Sequence, residues 1–241
     1  MRTPRARSAE ARPSLVTETE PRSAAAEAYR TLRTNIQFAS IERPHRTLVV
    51  TSASAREGKT TTTANFGVVN AQAGTRVCVI DADLRRPTLH KVFGLSNSHG
   101  LSTVLIADQP LVKVAQATRI ENLSVVTSGP LPPNPAELVG SRRMRELLER
   151  AVDDFDLIVC DTPPVVPVAD AVALAAQCDG VILVVRTGRV PQEIVKRAVA
   201  QIEAVKGRIL GVLLNSVNLR RDASYYGYDR YYGAYYGSDS D

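Results

Sequence analysis

The chain has 241 residues, 44% of them hydrophobic and 23% charged, with a formal net charge of +5. That length and balance suit one α/β domain with a full core plus short tails, in a soluble globular protein. They exclude a membrane-spanning helix, because the longest apolar runs, such as VILVV at 181–185, fall far short of the roughly 20 residues a span needs. The mild positive charge permits contact with an acidic surface or partner and specifies neither. Cys78, Cys160 and Cys178 have no metal-ligand spacing, and two sit in apolar runs as small hydrophobes, which fits a reducing cytosol.

Residues 1–24 mix Arg, Glu, Ser, Pro and Ala without periodicity, so a mobile arm is expected. No apolar stretch follows its basic residues, so no secretory signal is read there. EAYRTLRTNIQFAS (27–40) is predicted helical, with Tyr29, Leu32, Ile36 and Phe38 at spacings that include 3 and 4. Six β-branched runs follow, at 47–52, 76–81, 123–129, 156–161, 180–186 and 209–215. Helix-length segments lie between them, at 61–74, 144–154, 167–177 and 191–205. The runs are continuously apolar rather than alternating, which suits strands covered on both faces. Strand and helix in alternation predict a mostly parallel sheet flanked by helices on both faces, over a domain spanning 25–218. Ligands of such sheets bind beyond the carboxyl ends of the strands.

The first strand runs into SASAREGKTTTTAN (52–65). Gly-Lys-Thr between strand and helix is the end of a Walker A phosphate loop. Candidate phosphate-binding residues are Ser54, Ala55, Arg56, Glu57, Gly58, Lys59, Thr60 and Thr61. Backbone N–H groups at the helix start cradle phosphate, Lys59 supplies a point charge, and the Thr60 hydroxyl suits Mg²⁺. The full pattern asks for Gly where this chain has Ala53, and Arg56 stands where glycine is common.

VIDADLRRP (79–87) puts Asp81 and Asp83 just past one strand, and DLIVCDTPP (156–164) puts Asp161 at the end of another. A lone Asp there is commonly a cap or turn former. Three carboxylates beside a phosphate loop instead suit Mg²⁺ binding and phosphoryl transfer, with Asp161 in the Walker B role. Asn215 ends the last run and either reads an adenine edge or terminates the strand in a turn. Beyond residue 218, a tail expected to be disordered holds seven of the eight tyrosines: Tyr225, Tyr226, Tyr228, Tyr231, Tyr232, Tyr235 and Tyr236.

In order along the chain, EAYRTLRTNIQF, SASAREGKTTTTAN, VIDADLRRPTLHKVFGL, GLSTVL, GPLPPNPAELVGS, DLIVCDTPP and the terminal tyrosine cluster resemble the bacterial protein-tyrosine kinases (BY-kinases) of capsule and exopolysaccharide synthesis. The resemblance implies a P-loop fold, ATP and Mg²⁺, and autophosphorylation of the tail cluster between subunits of a ring, expected as an octamer. It gives Lys59 and Thr60 the Walker A roles, with Asp81 and Asp83 as the Walker A′ pair serving Mg²⁺ and activation of the attacking tyrosine. Metal binding falls to Thr60, Asp83 and Asp161. Glu27, Arg30 and Arg33 match an ExxRxxR element at the subunit contact, although the residues alone describe a charged stripe at three-residue spacing. Arg56 departs from the usual family glycine.

The resemblance further implies a membrane-spanning polysaccharide co-polymerase as activating partner, other protein tyrosine substrates, and no nucleic acid. It implies a cytoplasmic protein recruited to the inner face of the plasma membrane. Asp81 is the preferred proton acceptor for the tyrosine, with Asp83 as the alternative. The competing readings are a partitioning or positioning ATPase, and a nucleotide-gated assembly protein without kinase activity. The former carries a second lysine where this chain has Ser54.

Overall fold

The computed structural model describes residues 15–39 and 44–217. Two helices come first, α1 (Val16–Thr19) and α2 (Ala24–Phe38). Strands and helices then alternate: β1 (Thr47–Ser52), α3 (Lys59–Ala71), β2 (Val77–Asp81), α4 (Leu89–Phe93), α5 (Leu101–Ala107), β3 (Gln116–Ala117) and β4 (Leu123–Val126). The chain continues through α6 (Pro135–Val139), α7 (Arg142–Ala151), β5 (Leu157–Asp161), α8 (Asp170–Ala175), β6 (Gly180–Arg186), α9 (Gln192–Ala204) and β7 (Ile209–Asn215). The seven strands form one sheet in the order β3-β4-β2-β5-β1-β6-β7. Every neighbouring pair is parallel except β3–β4.

The apolar runs of β1, β2, β4, β5 and β6 are continuous because each of these strands feeds two cores, whereas the edge strand β7 leaves Val212 and Leu214 exposed. Leu48, Val50, Val77, Val79, Val159, Ile182 and Val184 pack with α2 and α3 on one face. Their sequence neighbours Val49, Cys78, Ile80, Ile158, Cys160, Val181 and Leu183 pack with α5, α7, α8 and α9 on the other. Alternation is present in space but hidden in the sequence, since both faces are dry. Cys78 and Cys160 are buried in these cores, and burial drives the Cys78 thiol well above its ordinary pKa. Both behave as packing residues. No helix among the described residues is long and apolar enough to cross a membrane.

The structure moves one boundary. The arm expected over 1–24 gives way to ordered chain from Leu15, which is buried. Thr17 is also buried, and its N–H and hydroxyl both donate to Asn65 Oδ1 on α3, at 3.1 and 2.8 Å. Ser23 caps α2 by accepting from the Ala26 N–H. A four-residue helix has no readable period, and its partners lie far away in the sequence. Residues 218–241, with all seven candidate tail tyrosines, lie outside the described residues. The eighth tyrosine, Tyr29, is a core residue of α2.

Candidate active site

The phosphate loop spans the gap between β1 and α3. Gly58 sits at the N-cap of α3 with φ +97°, and its carbonyl accepts the Thr62 N–H at 2.8 Å. Only glycine takes that conformation at no steric cost, and a Cβ there would lie 2.0 Å from Asn215 Nδ2. Arg56 is left-handed too, at φ +64°, the geometry that explains why glycine is the commoner choice at its position.

Glu57 is wholly buried. One carboxylate oxygen accepts from the Ser54 N–H and the other from the Arg186 N–H. Its backbone carbonyl accepts from Asn215 Nδ2 at 2.8 Å. The loop is thus braced from inside by its own glutamate and from the sheet by β6 and β7. Asn215 does end its strand beside the nucleotide loop, and its amide is spent on holding that loop.

Adjacent parallel strands bring the acids together. Asp81 and Asp161 are register partners at the carboxyl ends of β2 and β5, and both are fully buried. Asp161 accepts from the Thr60 hydroxyl at 2.6 Å and from the Thr63 hydroxyl at 3.3 Å. Asp83 accepts from Lys59 Nζ at 3.1 Å, and its other oxygen from the Arg86 and Arg85 N–H groups at 2.9 and 3.3 Å. Asp81 Oδ2 accepts from the Thr88 and Leu89 N–H groups at 3.0 and 2.9 Å, whereas its Oδ1 is buried with no partner. The structure therefore joins Thr60 to Asp161, and puts Asp83, the third predicted metal residue, on Lys59.

Burial, with the neighbouring Asp161 charge, pushes the Asp81 carboxyl well above the ordinary carboxylate range. Burial also raises Asp161, against the opposing pull of Lys59. For Lys59, burial disfavours the ammonium, but the carboxylates Asp161, Asp83 and Asp81 outweigh it and raise its pKa. A carboxyl whose folded pKa is raised favours folding below its unfolded pKa near 3.9, and loses that contribution as pH climbs through the folded value. At neutral pH, above its unfolded pKa, the buried Asp81 is thus a liability to the ligand-free fold. Asp81→Asn keeps an acceptor for Thr88 and Leu89 and removes the charge. It is expected to raise the melting temperature at pH 7 by about 2–4 °C, the effect of about 1 kcal/mol in a domain of this size. The gain should shrink toward pH 4. Calorimetry showing no gain at pH 7 would contradict the strain described here.

The donor set fits a hard divalent cation. Among the described residues no group of three or more His, Cys, Asp or Glu side chains could hold a metal. Mg²⁺ does not need one, since it takes one or two carboxylates, a hydroxyl, waters and substrate phosphate oxygens. The paired Thr60 and Asp161 supply that chemistry.

Comparison with known proteins separates the branches of this fold. The family model described as AAA domain matches residues 46–214. Tyrosine-protein kinase YwqD of Bacillus subtilis is 43% identical over 220 residues, which cover 91% of each chain. Putative tyrosine-protein kinase CapB of Staphylococcus aureus is 36% identical over 225 residues, covering 93% of this chain and 96% of that one. The kinase domain of Escherichia coli tyrosine kinase ETK superposes with a TM-score of 0.81 at 38% identity, covering 85% of this chain and 80% of that one. The chain belongs to the bacterial tyrosine-protein kinase family.

As a P-loop member of that family, the chain has a fold that implies nucleotide binding. Its ExxRxxR element is engaged within the chain. Glu27 and Arg30 form an ion pair at 2.8 Å, Arg30 also donates to the Pro21 carbonyl, and Arg33 donates to the Val69 carbonyl at the end of α3. Arg33 lines a cavity of about 590 Å³ with Ile36, His45, Leu48, Phe66 and Leu157, none of them a predicted nucleotide residue.

Sequence reasoning assigned Glu57 to phosphate binding through its place in the loop and missed that its side chain turns inward. A buried acid inside an anion-binding loop leaves no periodic or compositional trace. The ion pair between Arg85 and the buried Asp170, at 2.9 Å, leaves none either.

Proposed function

We propose that the chain is an ATP-dependent protein-tyrosine kinase that phosphorylates its C-terminal tyrosine cluster between subunits of a ring. In this reading the ring is an octamer built through Glu27, Arg30 and Arg33. The observation that carries the proposal is one of place. Lys59, Thr60, Asp81, Asp83 and Asp161 converge at one end of the sheet, and β7 leaves that same end with Asn215 touching the phosphate loop. The seven tail tyrosines follow. Tyr225 is ten residues past Asn215, a reach of at most about 35 Å, and later tyrosines reach further, so a neighbouring subunit is within range.

The chemistry follows from the geometry. A tyrosine hydroxyl with a pKa near 10 is a poor nucleophile at neutral pH. As its oxygen bonds to the γ-phosphorus and the bond to the ADP oxygen breaks, its proton needs an acceptor. Asp83 is a weak one, with both oxygens committed to Lys59, Arg85 and Arg86. Asp81 has a free oxygen and a raised proton affinity, so it takes the proton at Oδ1. Lys59 holds charge on the transferring phosphoryl group, and the loop N–H groups orient the nucleotide. Thr60 and Asp161 would hold Mg²⁺, which neutralises phosphate charge when bound.

The same reading includes other protein tyrosine substrates and regulation of capsular or exopolysaccharide polymerisation and export. It places the protein in the cytoplasm, recruited to the inner face of the plasma membrane by a membrane-spanning co-polymerase that activates it. Exchange between subunits is tested by mixing Lys59→Met chain that keeps its tail with active chain cut after residue 218. Phosphotyrosine is expected on the inactive chain's tail. An unmodified tail in that mixture, with the active full chain modifying itself, would sink the exchange.

A further inference from the structure

We infer that Asp170 is a positioning residue for phosphoryl transfer, acting through Arg85 on Asp83; this rests on the kinase reading above. Asp170, the first residue of α8, is wholly buried. A buried carboxylate is tolerated only when paired and hydrogen-bonded. Its two oxygens accept from Arg85 Nε at 2.9 Å and Arg85 Nη2 at 3.0 Å, a two-pronged fork whose arginine side remains 40% exposed. Such a fork fixes orientation as well as distance.

What the fork holds is the acidic loop. The Arg85 and Arg86 N–H groups both donate to Asp83 Oδ1, and Asp83 Oδ2 accepts from Lys59. At the other end, the segment leading into α8 is tied to the strand that carries the phosphate loop. The Thr162 hydroxyl donates to the Val50 carbonyl, the Val165 N–H to the Ser52 carbonyl, and the Thr51 hydroxyl to the Pro163 carbonyl. Asp170 therefore closes a loop of contacts running from β1 through Arg85 to Asp83 and back to Lys59. Without the fork, the backbone that presents two N–H groups to Asp83 loses its tie to α8, and Asp83 competes poorly for Lys59.

The test combines amide exchange with a mutant cycle, in the full chain. Asp170→Asn keeps shape and removes charge. Arg85→Gln, at a partly exposed site, provides a second variant should the first fail to fold. Faster hydrogen exchange is expected at the Arg85 and Arg86 amides, with the Thr88 and Leu89 amides unchanged. Phosphotyrosine formation should fall about 10-fold in kcat, with KM for ATP within about two-fold. In an Asp83→Asn background the same substitution should cost nothing further, because its route of action is gone. Unchanged exchange at both amides overturns the inference, as does an equal loss with and without Asp83. So does a uniform rise in KM at constant kcat. If the wild type makes no phosphotyrosine, the kinase reading fails and amide exchange alone decides the coupling.

Discussion

Lys59→Met is expected to reduce phosphotyrosine formation by at least about 10³-fold, since it removes a fixed charge from the transferring phosphoryl group in a site with little other cationic help. Among the described residues, Lys59 is the cation whose side chain bonds the acidic cluster, at Asp83. Arg85 is turned away onto Asp170. The substitution also touches stability. A lysine whose folded pKa is raised contributes stability that is fully present below its unfolded pKa near 10.4, and loses it only as pH passes the folded value. That contribution is intact at pH 7, so the variant should melt lower there. Lys59→Arg separates the two effects. It keeps the charge, and so most of the stability, but its planar fork cannot reproduce a point charge at the phosphate. Activity is expected to stay low while the melting temperature recovers. Recovery of both would mean that charge alone, and not its placement, is what the loop requires.

Gly58→Ala is expected to weaken nucleotide binding about 10-fold or more and to destabilise the fold. Two costs add at one atom. A φ of +97° is closed to alanine without strain of about 1–2 kcal/mol. The new Cβ also falls 2.0 Å from Asn215 Nδ2, so the asparagine must leave and its bond to the Glu57 carbonyl is lost. Relief is partial by design. Adding Asn215→Gly to Gly58→Ala removes the clash and leaves the strain, so urea denaturation should recover some but not all of the loss. Full recovery would show that backbone strain at Gly58 is negligible.

Much of this was readable from residues alone, for identifiable reasons. Six strand runs stood out, five of them because a strand buried on both faces is uniformly apolar and the edge strand β7 because it is apolar although part-exposed, and all six occur in the sheet. β3 was missed because two residues carry no period. The short helices α4, α5 and α6 were missed for lack of turns. Leu15 to Thr19 looked like arm because their fold depends on Asn65, 48 positions from Thr17. At the site, Lys59, Thr60, Asp81, Asp83 and Asp161 were legible because strand ends and a glycine-lysine-threonine turn are local signals. How they pair was not. Whether Asp83 meets Thr60 or Lys59 depends on the register of β2 against β5, and on a fork from α8 that spacing does not reveal. The inward turn of Glu57 and the role of Asn215 as a brace belong to the same class of long-range contact.

The proposed reaction is phosphate transfer from this P-loop site to the chain's own tail. Incubating the purified full chain with Mg·ATP, with and without a cytoplasmic segment of an activating partner, and reading intact mass and tryptic peptides tests it most directly. Successive additions of one phosphoryl mass are expected, mapped to tyrosines between Tyr225 and Tyr236 and absent from Lys59→Met. ATP turnover with no phosphotyrosine under either condition would contradict that transfer, and would point instead to a nucleotide-gated ATPase.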